Sequence, residues 1–230
     1  MACAYGPPLT QSEIDHQRRR LSAVLLIVGG SSSVLAVLLW RYVPSLDRSV
    51  RHLVLSNADT DSPVWKILGL ASGTRTCFVV VTVVGAWFAF ARRDWRPAVA
   101  LLLTLLLVDS GAEHLKGVFE RSGPGGLTPE SFPSGHASLA VLVWGYLAWF
   151  VPRALRRPFD VFWFVGSMIV LIGSVASRVA LDAHWFTDVL AGVGLGASAL
   201  VLAREATSVP LVRRVWVASV PRPTVTHRSR

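Results

Sequence analysis

Six apolar runs constrain this chain more than any other feature of its sequence. A helix that crosses a lipid bilayer needs about 20 largely apolar residues, and the runs approach or reach that length. They cover residues 21–40, 76–91, 97–108 (with an apolar continuation to about 115), 137–152, 161–177 and 189–203. The pattern predicts an all-α fold, an integral membrane bundle of six transmembrane helices. Small residues at 29–33 in the first run predict close packing of that helix against a neighbour.

Composition agrees with a membrane protein and excludes several other classes. Only 16% of the residues are charged, against about 25% in a typical soluble domain, so the chain has too little polar surface for a water-soluble globule. Cys3 lies near the N-terminus and Cys77 in an apolar run, and we interpret both as free thiols. The net charge of +9 does not indicate a nucleic-acid partner, because the arginines form short clusters between apolar runs.

These arginine clusters also predict the orientation of the chain in the membrane. With a cytoplasmic N-terminus, six spans place residues 1–20, 92–96, 153–158 and 204–230 on the inner side, and each of these segments carries an arginine cluster. The positive-inside rule therefore gives an N-in, C-in topology in the cell membrane. The expected organisation is a cytoplasmic N-terminal segment (1–20), a membrane domain (21–203) and a basic cytoplasmic tail (204–230).

Three segments on the opposite, extracytoplasmic side carry polar residues that ordinary loops do not need. They are residues 116–124 after the third run, 132–136 before the fourth, and 177–188 between the fifth and the sixth. With alternating helix directions, all three arrive at the same membrane face. Polar groups at the ends of membrane helices face a cavity rather than lipid. We therefore expect one site to be assembled from the three segments.

The basic residues of these segments suit a phosphate group. Lys116, Arg121 and Arg178 supply three cations, which match a phosphate dianion. Ser134 offers a hydroxyl, and Gly135 has no side chain, so its N–H can approach an anion closely. Both stand at the predicted start of a helix, where free N–H groups and the helix dipole favour negative charge.

Two histidines with different neighbours suggest two different chemical roles. His184 and Asp188 are four residues apart, on one face of a helix. We expect Asp188 to accept the Nδ1–H of His184, which leaves Nε2 free to act as a nucleophile. His136 lies in the first turn of its helix, where it can donate a proton to a leaving oxygen.

These residues resemble the motifs of the type 2 phosphatidic acid phosphatase superfamily. Its three motifs are Lys-x6-Arg-Pro, Pro-Ser-Gly-His and Ser-Arg-x5-His-x3-Asp. The second is complete at 133–136, and the third is complete at Ser177, Arg178, His184 and Asp188. The first is incomplete: Lys116 and Pro124 match, but Gly123 stands where the family has arginine. We hypothesise that Arg121, two residues earlier, reaches the same phosphate.

The resemblance implies a six-helix membrane fold and a phosphatase that works without a metal or another cofactor. It implies that His184 forms a phosphohistidine, that Asp188 orients it, and that His136 is the general acid. The implied phosphate ligands are Lys116, Arg178, Ser134 and Gly135. The expected substrate is a membrane lipid phosphomonoester or diphosphate, of the phosphatidate, phosphatidylglycerophosphate or polyprenyl diphosphate class.

Several alternatives stay open at the level of sequence. The same scaffold could carry a head-group phosphotransferase or a vanadate-dependent peroxidase, although the six spans count against the peroxidase. A non-catalytic protein that binds or transports an anion or lipid is a further alternative, because Gly123 removes a motif arginine. Asp109, Glu113 and His114 are either partners of the cationic site or polar groups at a helix end. The oligomeric state is also open.

Overall fold

A computed structural model describes residues 11–126, 130–155 and 160–206, and within these ranges the chain forms eight α-helices, one 3₁₀ turn and no strand. The elements in chain order are α1 (Gln11–Tyr42), α2 (Pro44–Asn57), α3 (Pro63–Ala71), α4 (Thr74–Arg92), α5 (Arg96–Phe119), the 3₁₀ turn (Pro124–Gly126), α6 (Gly135–Leu155), α7 (Asp160–Ala180) and α8 (Phe186–Ala206). The predicted all-α class is confirmed. The predicted tail lies outside the described residues from position 207 onward, and so do the first ten residues of the predicted N-terminal segment.

Four helices of the described chain are individually long and apolar enough to cross a membrane. Their candidate spans are Ser22–Tyr42, Arg96–Phe119, Val161–Ala180 and Phe186–Ala206. A fifth candidate is the pair α3 and α4, which is bent by 56°. The bend occurs at Ser72 and Gly73, where the N–H groups of both residues bond back to carbonyls of the last turn of α3. The predicted run 137–152 lies in α6, whose apolar part, Gly135–Ala148, is shorter, and the count of six spans stays a prediction.

Helix α8 occupies the middle of the bundle and packs closely against α6 and α1. A Cβ added to Gly192 would overlap the backbone oxygen of Ser134, the residue just before α6. One added to Gly196 would overlap the backbone oxygen of Ser138 in α6. On the α1 side, a Cβ on Gly29 would lie 2.7 Å from the Gly194 oxygen. Close packing of the small-residue cluster is therefore confirmed at Gly29, because only glycine lets the two backbones approach this far.

The main apolar core fills the space between α4, α5, α6 and α8. Its buried side chains include Leu105 of α5, Leu142 and Leu147 of α6, and Val201 of α8. The indole N–H of Trp144 in α6 donates to the carbonyl of Ala71 at 3.0 Å, which ties the end of α3 to this core. The tightly packed half of the bundle holds α6 and α8, the two helices whose N-termini carry the predicted site.

Helix α2 is an element that the sequence analysis did not anticipate. It follows α1 directly and begins at Pro44, a residue that suits the first turn of a helix because its fixed φ is helical and it has no N–H to satisfy. Asp47 in its first turn is buried, whereas Leu53 on another face is 63% exposed. One side of α2 therefore faces the bundle, and it contacts α7 and α8 near the turn that joins them.

Candidate active site

His184 lies in the turn between α7 and α8 and is fixed there by backbone hydrogen bonds. Its N–H donates to the Arg178 carbonyl at 3.1 Å, and the N–H of Ala183 donates to the same oxygen at 3.0 Å. Its ring nitrogen Nδ1 is 3.0 Å from the carbonyl oxygen of Ser131. A carbonyl oxygen can only accept, so Nδ1 carries the proton of the neutral ring and Nε2 keeps its lone pair.

The partner of Nδ1 differs from the one that the sequence predicted. Asp188 was expected to accept this proton, but its Oδ2 is 3.7 Å from Nδ1 and accepts the backbone N–H of Trp185 at 3.0 Å. Asp188 is the third residue of α8, and a carboxylate at that position commonly folds back to cap the first turn. It therefore stays close enough to stabilise a charged imidazole, while the Ser131 carbonyl fixes the direction of the ring.

His136 faces His184 from the first turn of α6. The two ring centroids are 6.5 Å apart, and the ring planes are inclined by 54°. A reacting atom placed between the two rings, at about 3–3.5 Å from each, needs a separation of comparable size. The predicted convergence of the two imidazoles at one end of the bundle is therefore present in the structure.

Ser134 forms the N-cap of α6 and links that helix to α8. Its Oγ accepts the N–H of Ala137 at 3.3 Å, and its own N–H donates to the Asp188 carbonyl at 3.0 Å. The hydroxyl proton of Ser134 stays available as a donor, because the Ala137 bond uses only the oxygen lone pair. A Cβ added to the neighbouring Gly135 would meet only Ala112, at an ordinary 3.7 Å, so packing alone does not require glycine at this position.

Arg178 and Lys116 bring positive charge to the same place. Both lie near enough to interact electrostatically with the His136 ring. Arg178 is 7% exposed, and its Nε and Nη2 each lie 3.3 Å from the hydroxyl of Ser177. Its guanidinium occupies space that a side chain at Gly69 of α3 would fill. Lys116 contacts Glu113 through an Nζ–Oε1 ion pair of 2.5 Å.

Arg121 does not stand free as the sequence hypothesis required. Its Nη2 donates to Oδ2 of Asp47 and its Nη1 to Oδ1 of Asp188, both at 2.5 Å, and Nη1 also donates to Oγ1 of Thr187 at 2.7 Å. The guanidinium stacks on Trp40, with Cζ 4.9 Å from the ring centroid, an arrangement that suits a delocalised cation. The structure thus places Arg121 between two carboxylates of the protein rather than leaving it free to bind a phosphate.

The sequence did not assign a role to Asp109, Glu113 and His114 of α5, and the structure gives contacts for two of them. Glu113 is the partner of Lys116, and Asp109 accepts a hydrogen bond from Thr74 Oγ1 at 3.1 Å. His114 is exposed. Within the described residues, no group of three His, Cys, Asp or Glu side chains is arranged to hold a metal ion.

Three contributors to this site were missed from sequence: Asp47, Thr187 and the carbonyl of Ser131. The last two stand beside recognised motif residues, but a backbone carbonyl or a threonine carries no pattern of its own. Asp47 is 140 residues away from Thr187 in the chain. The one available signal was the proline-led amphipathic stretch that holds Asp47, which indicates a helix and not its partner.

Fold and site together define a class: an all-helical membrane protein with two histidines and a cationic cluster at one end of its bundle. The chain belongs to the PAP2 superfamily, which its residues 76–208 match. This is the family that its motifs resemble.

Two known proteins are similar to this chain. Phosphatidylglycerophosphatase B of Bacillus subtilis (strain 168) is 34% identical over 128 residues, which cover 51% of this chain and 61% of that protein. The match therefore spans less than two thirds of that relative's length. The same fold is found in a crystal structure from Bacillus subtilis, with a TM-score of 0.66 and 21% identity. That structure is described as the first of a transmembrane PAP2 type phosphatidylglycerolphosphate phosphatase. That match covers 89% of this chain and 98% of the other.

Proposed function

We propose that this protein is a membrane phosphatase that hydrolyses a lipid phosphomonoester or diphosphate. The observation that carries the proposal is the pairing of His184 and His136. Their ring centroids are 6.5 Å apart, and the Nδ1–H of His184 is directed to the Ser131 carbonyl. An imidazole held in this way presents Nε2 as a nucleophile, and the second imidazole faces it as a proton donor.

The reaction proceeds in two steps. Nε2 of His184 attacks phosphorus, the bond from phosphorus to the leaving oxygen breaks, and His136 gives that oxygen a proton. A water molecule then attacks the phosphohistidine and gives a proton to His136, the P–N bond breaks, and inorganic phosphate leaves with both imidazoles restored to their starting states. During the first step His184 becomes positively charged, and the carboxylate of Asp188, whose Oδ2 is 3.7 Å from Nδ1, stabilises that charge.

Four groups bind the phosphate in this proposal. Lys116 and Arg178 supply the charge, and both lie near enough to His136 to interact with it electrostatically. Ser134 and the backbone of Gly135 supply donors at the N-terminus of α6, where the helix dipole favours an anion. Charge that develops on the phosphoryl oxygens in the transition state is then met by groups already in place.

The membrane setting favours a lipid as the substrate. We propose six spans, namely the four long helices, the bent pair α3–α4 and the shorter helix α6. We also propose an N-in, C-in topology with the site on the extracytoplasmic face. An apolar cavity of about 300 Å³ lies between α1, α5 and α8 and is bordered by Phe132 and Pro133, four and three residues before His136. A hydrocarbon chain suits such a lining. The relative's name makes phosphatidylglycerophosphate the first lipid to test.

A phosphate-release assay on the purified protein in detergent tests this function. The panel consists of phosphatidylglycerophosphate, phosphatidate and a polyprenyl diphosphate, each with and without EDTA. We expect release by the wild type in both conditions and a loss of about 10³-fold or more in kcat for His184→Ala. The matched control is His52→Ala, at an exposed position of α2, which we expect to keep wild-type turnover. Loss of activity with EDTA would contradict the metal-free mechanism.

A non-catalytic role in binding or transporting a lipid phosphate is the second candidate. The observation that favours it is the missing arginine at Gly123 together with the pairing of Arg121 to Asp47 and Asp188, which leaves fewer cations for phosphate than the motif supplies. The same assay separates the two functions. Lipid phosphates that bind with no release by the wild type, or with equal release from wild type and His184→Ala, favour the binding protein.

A further inference from the structure

Helix α2 contacts the turn that carries His184 on both sides of that residue. Arg51 pairs with Asp182, two residues before His184, through Nε–Oδ1 and Nη2–Oδ2 bonds of 2.7 and 2.6 Å. Asp47 accepts the N–H of Thr187, three residues after His184, at 2.9 Å and its hydroxyl at 2.7 Å. Asp47 and Arg51 are four apart and therefore lie on one face of α2.

The Arg51–Asp182 pair and the Asp47–Thr187 contacts are the two anchors of this turn, and each suits the backbone conformation at its position. Asp182 has a positive φ of 53°, a conformation that tight turns adopt and that aspartate tolerates, and a bidentate arginine pair fixes its side chain. Its hydrogen bond raises the pKa of the Arg51 guanidinium, so that anchor stays charged. Asp47 satisfies an N–H in the first turn of α8, where a carboxylate also interacts favourably with the helix dipole.

Arg121 connects the Asp47 anchor to Asp188. Its two terminal nitrogens bridge the carboxylates of Asp47 and Asp188, and both side chains are at most 3% exposed. Two buried carboxylates share one guanidinium, so removal of Arg121 leaves both without a counter-charge, whereas removal of Asp47 leaves Arg121 paired with Asp188 alone. Because Asp188 also holds the N–H of Trp185, this bridge fixes the residue next to His184 as well.

We propose that Asp47, Arg51 and Arg121 are positioning residues that hold the His184 turn in its reactive geometry, and that Arg121 is not a phosphate ligand. The proposal rests on the proposed phosphatase function and extends it to a helix, α2, that lies before the family match at 76–208. The two histidines come from different segments, so a turn held at only one end lets their separation vary. A misplacement of about 1 Å in such a pair can cost about 100-fold in rate.

The first test is Asp47→Asn, measured by kcat and KM for the substrate that the wild type hydrolyses and by inhibition with inorganic phosphate. We expect kcat to fall by about 10- to 100-fold with KM and phosphate inhibition within about threefold of wild type. The matched control is Asp61→Asn, at an exposed position between α2 and α3, with wild-type values expected. If Arg121 were a phosphate ligand that Asp47 positions, Asp47→Asn would raise KM and weaken phosphate inhibition together with the fall in kcat.

The second test uses the more exposed anchor, so that a folding defect at the buried Asp47 does not decide the outcome. Arg51 and Asp182 are 38% and 25% exposed, and we expect Arg51→Gln to keep the wild-type melting temperature in detergent. We expect its kcat to fall by about 3- to 10-fold, with partial recovery in Arg51→Lys. Arg48→Gln, exposed on the same helix, is the control.

The outcomes separate this inference from the function on which it rests. A wild type that releases no phosphate overturns the proposed function, and the positioning role falls with it. An active wild type whose Arg51→Gln and folded Asp47→Asn variants both match their controls overturns the positioning role alone. Phosphate inhibition that is weaker by more than about threefold in a folded Asp47→Asn variant also overturns it and restores Arg121 as a phosphate ligand.

Discussion

At the scale of single residues, each charged side chain at the site has a partner that determines what it can do. Arg121 carries the charge that a phosphate ligand needs, but three of its N–H groups donate to Asp47, Asp188 and Thr187. The His184 ring is directed by a backbone carbonyl and only supported by the carboxylate nearby. Arg178 differs, because its contacts at 3.3 Å are to a neutral serine hydroxyl, and in the proposed mechanism its charge binds the phosphate.

Gly69→Ala tests the role proposed for Arg178 without changing any charged residue. A Cβ at Gly69 would overlap Nη2 of Arg178, so the guanidinium must move. The next nearest residue is Leu181, whose Cδ1 would lie 3.2 Å from the new Cβ. A lost hydrogen bond to a charged group costs about 1.5–3 kcal/mol. We therefore expect kcat/KM to fall by about 10- to 100-fold. The control is Gly166→Ala on α7, where a Cβ meets nothing within 4 Å, and unchanged kinetics in Gly69→Ala would remove Arg178 from the phosphate site.

Gly135→Ala separates packing from ligand contact at the start of α6. The new Cβ would lie 3.7 Å from Ala112, an ordinary contact, so we expect the melting temperature to change by no more than a few degrees. We expect KM and the inhibition constant for inorganic phosphate to rise, because the methyl group crowds an anion at the helix N-terminus. Wild-type values of both constants would show that phosphate does not approach this backbone.

At the scale of helices, the bundle depends on glycines that allow two backbones to meet and on an outer helix that reaches inward. The first feature was visible in the sequence as small residues at 29–33, and the structure uses one of them, Gly29, against Gly194. The second was not visible. α2 resembles a surface helix, and its inward charges find partners that are 131 and 140 residues away in the chain.

Adjacent glycines of α1 provide a matched pair for testing the packing of α1 on α8. An added Cβ would lie 2.5 Å from Ser198 Oγ at Gly29, but nothing lies within 4 Å of one at Gly30. We expect Gly29→Ala to lower the free energy of unfolding by about 1–3 kcal/mol through overpacking. We expect Gly30→Ala to be neutral or to add up to about 1 kcal/mol, since alanine is the better helix former. Equal melting temperatures in detergent would contradict the close approach of α1 and α8.

At the scale of the whole molecule, the sequence predicted the helical membrane fold and the meeting of its two histidines. Both follow from local patterns: apolar runs of bilayer length, and motifs placed at helix ends that alternate between two faces. The break between α3 and α4 and the partners of Arg121 and His184 could not be predicted in this way. They depend on which neighbours the packing brings to a side chain, and a carboxylate such as Asp47 carries no sequence sign of its distant partner.

The central claim is that His184 attacks phosphorus while His136 protonates the leaving oxygen. It is tested most directly by rapid quenching of the enzyme with its lipid substrate at alkaline pH, followed by mass spectrometry of the peptides that contain His136 and His184. We predict a phosphoryl group on His184 in the wild type and none on the corresponding peptide of His184→Ala. Hydrolysis of the lipid by His184→Ala at the wild-type rate, or a phosphoryl group found on His136 instead, would contradict it.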